Sequence, residues 1–251
     1  MPQPKRSLLP LSSGALVALA ALASLGSTGC SKKETVDSID IATHGMALDY
    51  KLVCNGTTTS VQIGIHVGDW DSNDFVQLSS GDKLILRQPG PETSGFAANQ
   101  SNGRTIYQLE VPATSGDFVL DFTRTKAASA LGNKITLPPP FNITAPTATS
   151  NVSRKNNLAI TWDAPGSGYA VDVKVSGSCI FDVDQNSPGD AGSVSFNAGQ
   201  LKSLSGHEAD TCPLTISVMR KTSSGVFSGE FGHASQADGE QLRSVTVTST
   251  P

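Results

Sequence analysis

Ser60-Val61-Gln62-Ile63-Gly64-Ile65-His66-Val67 decides the fold. Val61, Ile63, Ile65 and Val67 fall on one side of an extended chain, and Gln62 and His66 on the other, because side chains alternate across a strand. That period of two predicts a sheet with one packed face and one wet face. Working outward, similar short apolar runs recur every dozen or so residues between turn signals, with no helical period of useful length, so the chain is expected to be all-β. Strands are expected at residues 47–54, 75–78, 83–87, 105–111 and 117–123 in the first part. In the second part, the run at 158–165 and those at 169–175, 193–196, 214–219 and 245–248 can be laid out as further strands. Gln88 to Gly103, with two prolines and three glycines, reads as a long surface loop, and Thr125 to Asn133 as a connector that holds at most one helical turn.

Pro138-Pro139-Pro140 is the clearest punctuation, since consecutive prolines fix an extended backbone and cannot donate to a ladder. It places a boundary between an N-terminal β-sandwich over 41–137 and a second one over 138–251. The first residues read as an export leader. Lys5 and Arg6 form a positive start, and Ala15 to Leu25 is an apolar run too short to span a bilayer. The charge count is 18 basic against 22 acidic residues; removing Lys5 and Arg6 with the leader leaves 16 against 22, a formal charge of −6. An acidic chain makes nucleic acid an unexpected partner.

Beyond Cys30, three thiols remain. Cys179 and Cys212 stand in the same proposed domain, each at the head of a strand-like run, and are expected to pair in an oxidising compartment. Closing that loop contributes about 3 to 4 kcal/mol. Cys54, between an apolar run and the turn Asn55-Gly56, reads as a buried inert thiol, with a reactive or intermolecular thiol as the other reading.

Two resemblances add to this. Ser27-Thr28-Gly29-Cys30 resembles the lipobox of bacterial lipoprotein signals, with Ser27 standing where that family usually has Leu. The resemblance implies a signal peptide over 1–29, diacylglycerol and palmitate on Cys30, and a lipidated tether over 30–40, polar and flexible. Ser31 stands where Asp would retain such a protein at the inner membrane, which implies the outer membrane. Leu158-Ala159-Ile160-Thr161-Trp162-Asp163-Ala164-Pro165 resembles the second strand of fibronectin type III and immunoglobulin-like domains, which implies such a sandwich over about 141–251. In overall character the chain also resembles outer-membrane lipoproteins of social soil bacteria.

Catalytic motifs are absent: there is no G-x-S-x-G, H-E-x-x-H, C-x-x-C, phosphate loop or dinucleotide fingerprint, so no enzyme and no cofactor is expected. Asp69-Trp70-Asp71-Ser72-Asn73-Asp74 carries oxygens at alternating positions, and Asp69, Asp71 and Asn73 are calcium candidates, although the loop lacks the remaining EF-hand residues. Asp182-Val183-Asp184-Gln185-Asn186 repeats the spacing, and His207 to Cys212 gathers several further ligand types. Trp70 reads as core, with an exposed stacking platform as the alternative; Trp162 reads as core. The expected function is a membrane-anchored, non-catalytic binding or structural module of the cell envelope with a protein or polysaccharide partner. The rivals are a calcium-dependent carbohydrate or protein binder and an envelope hydrolase.

Overall fold

The computed structural model describes residues 35–79 and 81–251; the leader and Cys30 lie outside them. The alternating stretch forms a strand from Thr59 to Val67, with Val61, Ile63 and Ile65 fully buried. In chain order the first strands are β1 (Thr35–Asp37), β2 (Met46–Cys54), β3 (Thr59–Val67), β4 (Phe75–Gln77), β5 (Lys83–Arg87), β6 (Ala97–Ser101), β7 (Arg104–Val111), β8 (Asp117–Thr123) and β9 (Ala130–Thr136). They are followed by β10 (Ile143–Ala145), β11 (Asn151–Ser153), β12 (Leu158–Trp162), β13 (Ala170–Gly177), β14 (Val183–Ser187), β15 (Ser193–Phe196), β16 (Cys212–Thr222), β17 (Gly225–Val226) and β18 (Gln236–Thr250). The protein is all-β, as the periodicity predicts.

Two apolar cores separate three sheets. One sheet of eleven strands runs β1-β4-β3-β2-β18-β16-β13-β14, with β7, β6 and β11 attached beside it. Its first half packs on β17-β9-β8-β5 around Leu48, Leu52, Ile63, Leu86, Phe118 and Phe122. Its second half packs on β10-β12-β15 around Ile160, Trp162, Val173, Ile216 and Phe196. The second sandwich sets β10-β12-β15 against β18-β16-β13-β14, with β11 paired beside β18. Most pairs are antiparallel; β1 with β4, β11 with β18 and β18 with β2 are parallel.

The packing crosses the boundary expected at 138, and residues 35–251 lie within one compact unit. Strands β16 and β18 pair over Cys212 to Thr222, and the segment between them returns to the first sandwich. There β17 joins β9, Phe231 and Ala237 enter the first core, and Gln236 to Gln241 pair with Asp49 to Cys54. Fully buried Asn133 fastens this return by accepting the Ser228 N–H at 3.0 Å while its own amide donates to the Leu120 and Ala130 carbonyls. The first sandwich is therefore completed by residues far beyond 137. The prolines act as a pinned corner: Gln241 donates to the Pro138 carbonyl at 3.0 Å and Arg220 to that of Pro139 at 2.7 Å.

Three local expectations also change. The tether expected over 30–40 is already docked from Thr35, where β1 pairs with β4 and buried Arg124 donates to the Ser38 and Ile41 carbonyls and to Thr43. The connector expected at 125–133 becomes the start of β9, with Ala130 and Asn133 buried against β8. The loop expected at 88–103 contains β6, which pairs with β7 around Asn102-Gly103. Both residues of that turn have positive φ, 51° and 73°, the two-residue hairpin geometry that Asn-Gly favours.

Candidate functional site

On the outer face of the long sheet, register sets side chains in rows. Asp49 lies opposite Gly64, Gly64 opposite Ile106, and Ile106 opposite Asn99; the next row runs Lys51, Gln62, Gln108 and Ala97. These rows line a groove of about 360 Å³, with Ser101, Asn102 and Arg104 at its hairpin end. Two cations on this face are paired within the protein: Lys51, at the groove's rim, has Nζ 2.8 Å from Glu240 Oε1, and Lys221 pairs with Asp172. Most of the groove's other polar groups are not. Among the described residues, the side chains of Asp49, Gln62, Asn99 and Gln108 have no protein hydrogen bond, and Arg104 has no carboxylate partner, its guanidinium lying over the Phe75 ring.

Gly64 shapes the floor. A side chain there would meet His66 Nε2 at 2.8 Å, so the imidazole folds back into the space a Cβ would fill. His66 was expected on the wet side; it is on that side but only 4% exposed, its ring tilted 47° against Phe75 with Nδ1 2.8 Å from the Ser72 carbonyl. Burial is the main cause that lowers its pKa, and burial likewise raises that of Asp49, against the pull of His66, Lys51 and Arg104. Nε2 is buried without a hydrogen-bond partner.

Of the residues singled out for calcium, Asp69 takes up structural contacts. Asp69 Oδ1 accepts the Ala234 N–H at 3.1 Å and lies 3.5 Å from His233 Nδ1, so it binds the returning segment. Asp71 and Asn73 are exposed at the same turn. The second acidic run is dispersed: Asp182 pairs with Lys174, and Val183 to Ser187 alternate along β14. Nearby Asp190 is buried 2.6 Å from Arg220 Nε and accepts the Trp162 indole N–H at 2.7 Å. In the run before Cys212, the Glu208 and Asp210 carbonyls each accept from the Arg154 guanidinium at 2.9 Å, so a cation already occupies those oxygens. Among the described residues, no group of three His, Cys, Asp or Glu side chains could hold a metal ion.

Cys179 and Cys212 form a disulfide with Cα atoms 6.1 Å apart. Cys54 is a free thiol with no exposed surface. Trp162 is core, whereas Trp70 is 39% exposed, because its backbone N–H is drawn to the Ala234 carbonyl at the edge of the first sandwich. Sequence reading missed the groove because its residues come from four strands whose registers no local pattern specifies. Asn102-Gly103 was the one signal available for the hairpin that walls it.

No protein-family model matches the chain, and no curated protein matches it. Among solved structures it is similar to the chicken CNTN1 FN1-FN3 domains, at 10% identity and a TM-score of 0.25, over 80% of this chain and 65% of that one. It is also similar to the tandem Ig repeats of Dlar, at 14% identity and a TM-score of 0.26, over 79% and 99%. The Yersinia pseudotuberculosis adhesin InvE matches at 11% identity and a TM-score of 0.21, over 82% and 59%. The chain thus spans less than two thirds of the first and third of these. Scores this low lend no weight to a shared arrangement, and the sandwich description stands on this chain's own strands. No helix among the described residues is long and apolar enough to cross a membrane.

Proposed function

We propose that the chain is a non-catalytic binding module of the bacterial envelope, held at the outer membrane by acyl chains on Cys30 and presenting the outer face of its long sheet to a protein or polysaccharide. The observation that carries the binding reading is the groove on the outer face of the long sheet, where Asp49, Gln62, Asn99 and Gln108 have no protein hydrogen bond. The anchor rests on the lipobox resemblance at Ser27-Thr28-Gly29-Cys30. Two or more acyl chains make a stable tether where one makes a reversible contact. Since β1 begins at Thr35, the five intervening steps reach at most about 18 Å, so the body is kept close to the bilayer surface.

Intact mass of the native protein extracted from membranes tests this. A chain beginning at Cys30 with added acyl mass, released into the soluble fraction by Cys30→Ser, is the expected result. An unacylated chain that is soluble without the substitution would overturn it.

A further inference from the structure

We infer that the groove between Asp49, Gln62, Asn99, Arg104 and Gln108 is a saccharide site that takes a neutral, hydroxyl-rich ligand. The inference rests on the binding reading above and names its ligand class.

Chemistry selects the class. Three of the five groups are carboxamides, from Gln62, Asn99 and Gln108, and each presents a donor and an acceptor side by side. A sugar hydroxyl needs both, as it donates one hydrogen bond and accepts others. The remaining two are one acceptor, the Asp49 carboxylate, and one multiple donor, the Arg104 guanidinium, so the free charges in the groove cancel. Lys51, the other cation lining it, is already neutralised by Glu240 at 2.8 Å. A groove with balanced charge has no net attraction for an anionic or cationic ligand. No aromatic side chain lines it and apolar contact is confined to Ile63 and Ile106, so neither a flat ring nor an apolar side chain finds a platform. Its volume, about 360 Å³, is at the lower end of ligand sites, which suits one or two sugar units held by their hydroxyl edges.

The position also fits. The groove lies on the uncovered face, walled by the exposed β6–β7 hairpin, where every residue of β6 is exposed, so a chain of sugars can enter laterally and extend beyond it. Because the polar groups have no protein partners, binding breaks no internal bond.

The test uses the full native chain in detergent and isothermal titration with neutral oligosaccharides (maltotriose, mannotriose, galactotriose and chitotriose), a trigalacturonate, and trialanine. At least one neutral saccharide is expected to bind in preference to trigalacturonate and trialanine. Gln62→Ala and Asn99→Ala are each expected to weaken it at least tenfold with an unchanged melting temperature. Lys221→Ala, on the same face but outside the groove, is expected to leave it unchanged. Failure of all four neutral saccharides to bind, preference for trialanine or trigalacturonate, or equal weakening by Lys221→Ala overturns the inference. If the chain is still acylated at Cys30 in that case, the envelope-module reading survives and only the ligand class is lost.

Discussion

Buried polar side chains do much of the positioning. Arg220 is fully buried, 2.6 Å from Asp190, with further bonds to the Pro139 and Ala164 carbonyls and its charge over Phe141. Removing one member of a buried pair strands the other, so Asp190→Asn is expected to destabilise by about 3–5 kcal/mol in urea unfolding. A loss under about 1 kcal/mol would show the pair to be dispensable. His66 makes a different prediction. Its folded pKa lies below the ordinary 6.5, so the unfolded chain binds this proton more readily. The stability its neutral form supports is complete above about pH 6.5 and is lost as pH falls from there toward the lowered folded value. Comparing unfolding at pH 7.5 and 5.5, His66→Gln should have a shallower decline than the native chain; an identical decline would rule His66 out as its source.

At the element scale, the segment from β17 to the start of β18 belongs by sequence to one sandwich and by packing to the other. Phe231 lies 6.5 Å from Phe122, ring to ring, inside the first core. Phe231→Ala should cost about 3–5 kcal/mol, as for other buried aromatic truncations. It should also raise amide exchange in β8 and β9 as well as in β18; exchange confined to the second sandwich would contradict the packing. The disulfide staples the start of β16 to the segment after β13, so Cys179→Ala with Cys212→Ala should cost about 2–5 kcal/mol without disturbing the groove.

For the whole molecule, one sheet continuing through both cores implies that they melt together. A single calorimetric transition is expected for the chain, and a fragment ending at 137 should fail to fold, since it lacks Phe231, Ala237 and the strand beside β2. Two separate transitions would restore the independent tandem domains that the prolines suggested. Under the acylation of Cys30 proposed above, the five steps to Thr35 would keep the folded body's first strand within about 18 Å of the membrane.

The positions of β2, β3, β5, β7 and β8, the all-β class, the core role of Trp162 and the pairing of Cys179 with Cys212 could be read from the chain alone. Each depends on alternation, turn residues or cysteine placement, which act over a few neighbours. The charged, solvent-facing rows could be read only as surface. Their convergence into a groove, the burial of His66 over Gly64, the use of Asp69 and Asp190 as structural acceptors, and the return of 225–241 to the first core were decided by tertiary structure. Strand order and register are set by which apolar faces can be buried together across long sequence separations, and no local period carries that information.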